Sequence, residues 1–211
     1  MKFINGAQAL FLSIILGFVI SPALAQDADA PSVTHAKIQT SKGDIIIALY
    51  TEDAPVSVQN FLTYATKGHY DRTIFHRVVG GYVIQGGGYS RYFNERTPGP
   101  AIKYEGDNGR KNLRGTIAMA RGVSPESAQA QWFINLRDNE DLDHFVNDLG
   151  PRYGYAVFGE VVEGLDVVDA IGSVTTGEGG PFDAEVPLDP ILILRVDPAD
   201  WSPEDTTEET P

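Results

Sequence analysis

From Val33 onward, hydrophobic residues recur mostly at every second position. This period constrains the fold more than any other feature of the chain. The stretch VTHAKIQTSKGDIIIALY, residues 33–50, reads as two strands joined by a turn at Ser41-Lys42-Gly43-Asp44. Further strand-like runs fall at 73–79, 82–86, 114–120, 131–135, 154–162 and 189–196. Only two windows carry a helical period. In EDAPVSVQNFLTYATKG, Asp53 stands where a cap belongs, Pro55 suits the first turn, and Gly68 ends the run. Val58, Phe61, Leu62 and Ala65 fall near one face of that helix. In GLDVVDAIG, Leu165, Val168 and Ile171 do the same. Many strands with two helices predict a mainly β domain, a closed antiparallel barrel capped by the helices.

The two ends of the chain read differently. MKFINGAQALFLSIILGFVISPALAQ has Lys2, an apolar run from Ala9 to Ile20, and Ala23-Leu24-Ala25 before Gln26. That is the layout of a secretory signal peptide, residues 1–25, and the run is too short to span a bilayer. Residues 26–32 read as a linker and 33–196 as the domain. Residues 197–211, DPADWSPEDTTEETP, form an acidic tail whose composition predicts disorder. Net charge is −13, which argues against nucleic acid or anionic membrane as a partner. The chain has no cysteine, so neither a disulfide nor a thiolate can support its chemistry.

The common catalytic motifs fail on inspection. GYVIQGG has Gly87 where a phosphate loop needs lysine, and Arg91 stands where a dinucleotide turn needs its last glycine. Ser124 lies in GVSPE, not in a nucleophile elbow. His35, His69, His76 and His144 lack metal-ligand spacing, and the acidic run 137–148 lacks the glycine of a calcium loop. What remains is TIFHRVVGGYVIQGG, residues 73–87, with one arginine inside an apolar strand. Strand alternation puts Phe75, Arg77 and Val79 on one face, and Val83 and Gln85 on one face of the next run. Two readings of Arg77 are open on these grounds. It could be an edge arginine paired to a carboxylate, or a donor aimed at a ligand.

The segments IFHRVVGGYVIQGG, RGTIAMAR, SAQAQWFINL, DLDH and YAVFGEVVEGLDVVDAI resemble, in this order, those of the cyclophilins, the peptidyl-prolyl cis–trans isomerases. The likeness runs from about Val33 to Val196 and is nearest to the bacterial periplasmic type. It implies an eight-stranded closed antiparallel barrel capped by two α-helices. It implies that Arg77 is the catalytic arginine and that Gln85 binds the substrate backbone. Substrate-binding positions would be Tyr82, Val83, Ala120, Arg121, Gln131, Phe133, Leu142 and Tyr155, with Phe133 and Leu142 as walls of a proline pocket. Tyr82, Val83 and Tyr155 stand where phenylalanine, methionine and histidine are frequent, so pocket shape departs from the common pattern. Asp141 stands where cyclosporin-sensitive relatives typically carry tryptophan, which predicts weak cyclosporin binding. No cofactor or metal is expected. The expected partners are X–Pro-containing polypeptides, namely unfolded exported proteins, and the expected state is a soluble periplasmic monomer. A non-catalytic binder or chaperone of Pro-containing segments is the alternative. The resemblance favours the reading in which Arg77 faces substrate and not a structural partner.

Overall fold

The computed structural model describes residues 34–202. The expected signal peptide and linker, and the tail beyond residue 202, lie outside the described residues. Strands are β1 (His35–Thr40), β2 (Gly43–Leu49), β3 (Thr73–Ile74), β4 (Arg77–Val79), β5 (Val83–Gly86), β6 (Thr116–Met119) and β7 (Trp132–Asn135). They continue as β8 (Phe145–Asn147), β9 (Gly150–Arg152), β10 (Val157–Glu163), β11 (Thr176–Gly179), β12 (Phe182–Pro187) and β13 (Leu192–Ala199). The helices are α1 (Pro55–Thr66) and α2 (Leu165–Gly172). The fold is mainly β with two helices, as the periodicity predicts.

Nine strands form one antiparallel sheet in the order β3-β13-β1-β2-β10-β6-β7-β5-β4. Nine strands are counted where eight are expected because the expected 73–79 strand is two pieces. Its first piece pairs with β13 and its second with β5, so the two sheet edges are successive parts of one stretch, parted only by Phe75 and His76. Two hairpins lie outside the main sheet, β8–β9 and β11–β12. The last strand runs past the expected domain end at 196, to Ala199. Beyond it the Trp201 indole N–H donates to Glu163 at 2.8 Å, and its ring sits 5.2 Å from that of His35.

Alternation sorts the side chains into two apolar clusters. Ile38, Ile45, Ile47, Ile84, Ile117, Ile134 and Phe158 fill the main core. Phe61 of α1 and Phe75 pack there against Trp132, with ring centroids 6.3 and 5.8 Å away. Phe75 is fully buried on this side, not beside Arg77 as strict alternation predicts, because the chain leaves strand geometry at 75–76. The smaller cluster, Val83, Ala118, Phe133 and Val157, lies on the opposite face and carries the candidate site.

Helix α1 buries Val58, Phe61 and Ala65, and the left-handed Gly68 (φ 66°) follows its end. Its start differs from expectation. Asp53 does not cap it and instead accepts from Arg110 Nε at 2.8 Å. The orphan N–H groups of Val56 and Ser57 donate to the Glu105 carboxylate at 2.9 and 2.8 Å. A carboxylate there satisfies first-turn donors and complements the helix dipole.

Candidate active site

One cross-strand row builds the site. Arg77 of β4 is in register with Gln85 of β5, Gln85 with Phe133 of β7, Phe133 with Ala118 of β6, and Ala118 with Val157 of β10. The row juxtaposes a cation, an amide and an apolar floor. Over it lies a cavity of about 200 Å³ lined by Arg77, Tyr82, Val83, Gln85, Ala120, Arg121, Phe133, Leu142 and Tyr155. The structure thus brings together nine of the ten residues singled out from sequence. The tenth, Gln131, stands one layer away, where its Oε1 accepts from Gln85 Nε2 at 3.0 Å. Gln131 lines an adjoining cavity of about 220 Å³ that shares Gln85, Ala120 and Arg121 with the first. Gly88 makes room for it: a Cβ there would come within 2.6 Å of the Gln131 side chain.

The apolar half is rigid. Val83 and Phe133 are buried, and the Phe133 and Tyr155 rings meet edge-on with centroids 5.3 Å apart. Tyr155 N–H donates to Leu142 O at 2.9 Å, fixing the two walls to each other. Arg121 is committed to the rim. Its Nε donates to Gly154 O at 3.1 Å and its Nη1 to Gly122 O at 3.0 Å, and its guanidinium lies 4.8 Å from the Tyr155 ring centroid. Tyr82 OH donates to Asp141 Oδ2 at 3.0 Å across the other rim.

Beneath this rim runs a buried polar network that sequence reasoning missed. Asn135 Nδ2 donates to Thr116 Oγ1 at 2.9 Å, and Asn135 Oδ1 accepts from Asn139 Nδ2 at 2.8 Å. Asn139 Nδ2 also donates to Tyr82 O at 3.0 Å. Asn112 Nδ2 donates to Leu142 O at 3.0 Å and to Asp143 Oδ1 at 3.1 Å. These amides hold the backbones that present Tyr82 and Leu142. Three asparagines spread over 112–139 leave no periodic trace, so only the three-dimensional arrangement reveals them.

Arg77 does have a carboxylate partner. Its Nε donates to Glu185 Oε2 at 2.7 Å, a salt bridge between residues 108 positions apart. The expectation that Arg77 has no structural partner therefore needs correcting, because the side chain pairs with Glu185 while it also lines the cavity. One of five guanidinium N–H donors is used, and no other acceptor among the described residues engages the rest. Glu185 lies on β12 with φ 66°, the left-handed region that disfavours a residue with a side chain. The β11–β12 register slips there, so that Asp183, Ala184 and Glu185 stand opposite the single Glu178. Such a bulge turns a side chain away from its strand direction. A left-handed residue of this kind costs about 1 kcal/mol or more. The ion pair is more than a third exposed on both sides and contributes about 0–1 kcal/mol. The two roughly cancel, so net stability does not explain the arrangement.

The hairpin is anchored through His76. Phe182 of β12 stacks on the His76 ring with centroids 5.5 Å apart and meets Tyr89 edge-on at 5.1 Å. His76 is 2% exposed, and its Nδ1 has no hydrogen-bond partner among the described residues. Burial pushes its pKa down to about 4, with the neighbouring Arg77 charge acting in the same direction. Contacts to Ile74 and Gln131 offset this only in part. The ring is therefore a neutral aromatic spacer at ordinary pH.

The curled antiparallel sheet thus carries an arginine, two glutamines and an apolar seat at one cavity and its neighbour. The sequence profile described as cyclophilin type peptidyl-prolyl cis–trans isomerase/CLD matches residues 35–197. The chain is 45% identical over 185 residues to peptidyl-prolyl cis–trans isomerase A of Dickeya dadantii, covering 88% of this chain and 93% of that protein. It is 47% identical over 157 residues to peptidyl-prolyl cis–trans isomerase B of Escherichia coli, covering 74% and 94%. A crystal structure of a Cryptosporidium parvum cyclophilin-type isomerase, determined in the presence of the dipeptide Ala-Pro, superposes with TM-score 0.63 at 25% identity, covering 79% and 99%. The chain belongs to the cyclophilin family. It is a peptidyl-prolyl cis–trans isomerase. No helix among the described residues is long and apolar enough to cross a membrane.

Proposed function

We propose that the Arg77 row is the isomerisation site, acting on X–Pro bonds of unfolded exported polypeptides in the periplasm. The reaction breaks no bond. It turns a partial double bond whose rotation barrier is about 18–20 kcal/mol. Uncatalysed X–Pro exchange takes tens of seconds or more although cis and trans differ little in energy. In the twisted transition state amide resonance is lost, and the proline nitrogen gains a usable lone pair. An N–H donor from Arg77 can bond that nitrogen then, and hardly in the planar ground state, which is differential binding. Phe133, Leu142, Val83 and Tyr155 seat the proline ring and exclude water, which strengthens the donor's field. Gln85, oriented by Gln131, holds the adjacent carbonyl while the other side of the bond turns.

The observation that carries this reading is the register of Arg77, Gln85 and Phe133 under one cavity. Arg77→Ala should lose about 10²–10³ in kcat/KM, or about 3–4 kcal/mol, with an unchanged thermal midpoint. Arg77→Lys should not restore it, because an ammonium does not reproduce the planar fork. Near-wild-type activity in folded Arg77→Ala would show that the site is misassigned. NMR exchange on an X–Pro peptide separates this reading from simple capture, since only catalysis accelerates cis–trans exchange. The Lys2, apolar-run and Ala23-Leu24-Ala25 pattern supports export. Mass spectrometry of the fractionated protein should find a chain starting at Gln26 in the periplasm. Intact chains held in the inner membrane would refute it.

A further inference from the structure

The geometry points to Glu185 as a positioning residue for Arg77, a role that rests on Arg77 being the catalytic donor. The carboxylate accepts from Nε at 2.7 Å and takes no hydrogen bond from either Nη group. An arginine stem is flexible, and a transition-state donor must be held still to be effective. Fixing Nε sets the plane of the fork and leaves the Nη donors for the pocket that Arg77 lines.

Three further observations bear on the choice of Glu185. Its backbone is left-handed, an arrangement that with its part-exposed ion pair brings no net stability. It sits in a bulge, the device by which a strand redirects a side chain. The hairpin that carries it is pinned by Phe182 to His76, the residue next to Arg77, so donor and anchor are referenced to the same piece of chain. Glu185 touches no reacting atom. It acts only through Arg77.

The left-handed backbone supplies a test that a structural role would fail. Glu185→Gly removes the carboxylate but relieves the backbone strain. The expected result is a thermal midpoint equal to or above wild type, with kcat on an X–Pro peptide reduced about tenfold and KM within about twofold. Glu185→Gln keeps an acceptor for Nε and should lose less than the glycine variant. In the Arg77→Ala background, Glu185→Gly should cost nothing further, because the residue it orients is gone. The Arg77 Nε–H resonance should move toward its solvent-exposed position in Glu185→Gly and less so in Glu185→Gln. Wild-type kcat in Glu185→Gly, or kcat and thermal midpoint falling together in both Glu185 variants, overturns the role. Loss in Glu185→Gly that adds fully to that of Arg77→Ala also overturns it. Near-wild-type kcat in Arg77→Ala would overturn the assignment of Arg77 instead, a distinguishable outcome.

Discussion

Acidification should destabilise this protein through His76, and the size of the effect follows from its surroundings. The ring is 2% exposed, stacked on Phe182 and beside Arg77, and its pKa falls from the ordinary 6.5 to about 4. Between those values the unfolded chain binds a proton that the native state refuses. Stability therefore rises with pH across this window, is fully present above about 6.5, and stops falling below about 4. A shift of this size corresponds to about 3 kcal/mol, a large part of the 5–15 kcal/mol typical of a domain. His69, half-buried and likewise lowered by desolvation, adds to the slope in the same sense. The comparison must therefore be with His76→Phe, which keeps an aromatic partner for Phe182 but cannot titrate. Urea unfolding from pH 4 to 7.5 on both proteins gives the difference directly. The wild type should lose about 3 kcal/mol more than the variant on going to pH 4. A pH-independent difference, or a His76 resonance titrating near 6.5, would refute the argument that burial keeps this ring neutral.

The remaining predictions concern the rim. Asn135→Ala takes one buried partner from Asn139 and one from Thr116 and should cost about 1–3 kcal/mol in unfolding free energy while raising KM. Unchanged stability would mean that water takes over the vacated bonds. Asp141→Trp removes the carboxylate bonded to Tyr82 OH and offers a broad apolar face with an N–H donor. It should raise cyclosporin affinity about tenfold, ~1.4 kcal/mol, by calorimetry, with little change in kcat/KM on a short peptide. Tight binding by the wild type would show that Val83 and Tyr155 set the response instead.

The parts of this fold that were legible in sequence are those carried by local period. The α1 face of Val58, Phe61 and Ala65, its stop at Gly68, the β1–β2 turn and the α2 face of Val168 and Ile171 all follow from short-range spacing. The pocket residues were legible because several short motifs occur in a fixed order, not because any one of them is diagnostic. What stayed hidden depends on distant partners. Glu105 reaches the start of α1 from 48–49 residues away, and no pattern near Asp53 announces that it has been displaced. The β11–β12 hairpin, TGEG and FDAEVP, is poor in β-branched residues and rich in glycine and acids. It reads as loop, yet it supplies the carboxylate on Arg77. The β8–β9 hairpin is short and mostly exposed, so it has no buried face to imprint a period.

The break at Phe75–His76 connects these observations. An uninterrupted strand from 73 to 79 would set Phe75 and Arg77 on one face, placing a large apolar ring among the site residues and removing it from the core. Leaving strand geometry for two residues lets Phe75 turn inward to Trp132 while Arg77 stays on the outer face. The same break lets β3 pair with β13 and β4 pair with β5, so the two edges of the sheet share one short stretch of chain. It also places His76 between core and hairpin, where Phe182 covers it. The arginine therefore emerges from a point fixed by the core below, by a sheet edge on either side and by the hairpin above. On the mechanism proposed above, such a point suits a donor that must meet a lone pair present only in the transition state, because any slack in the arginine would be lost as rate.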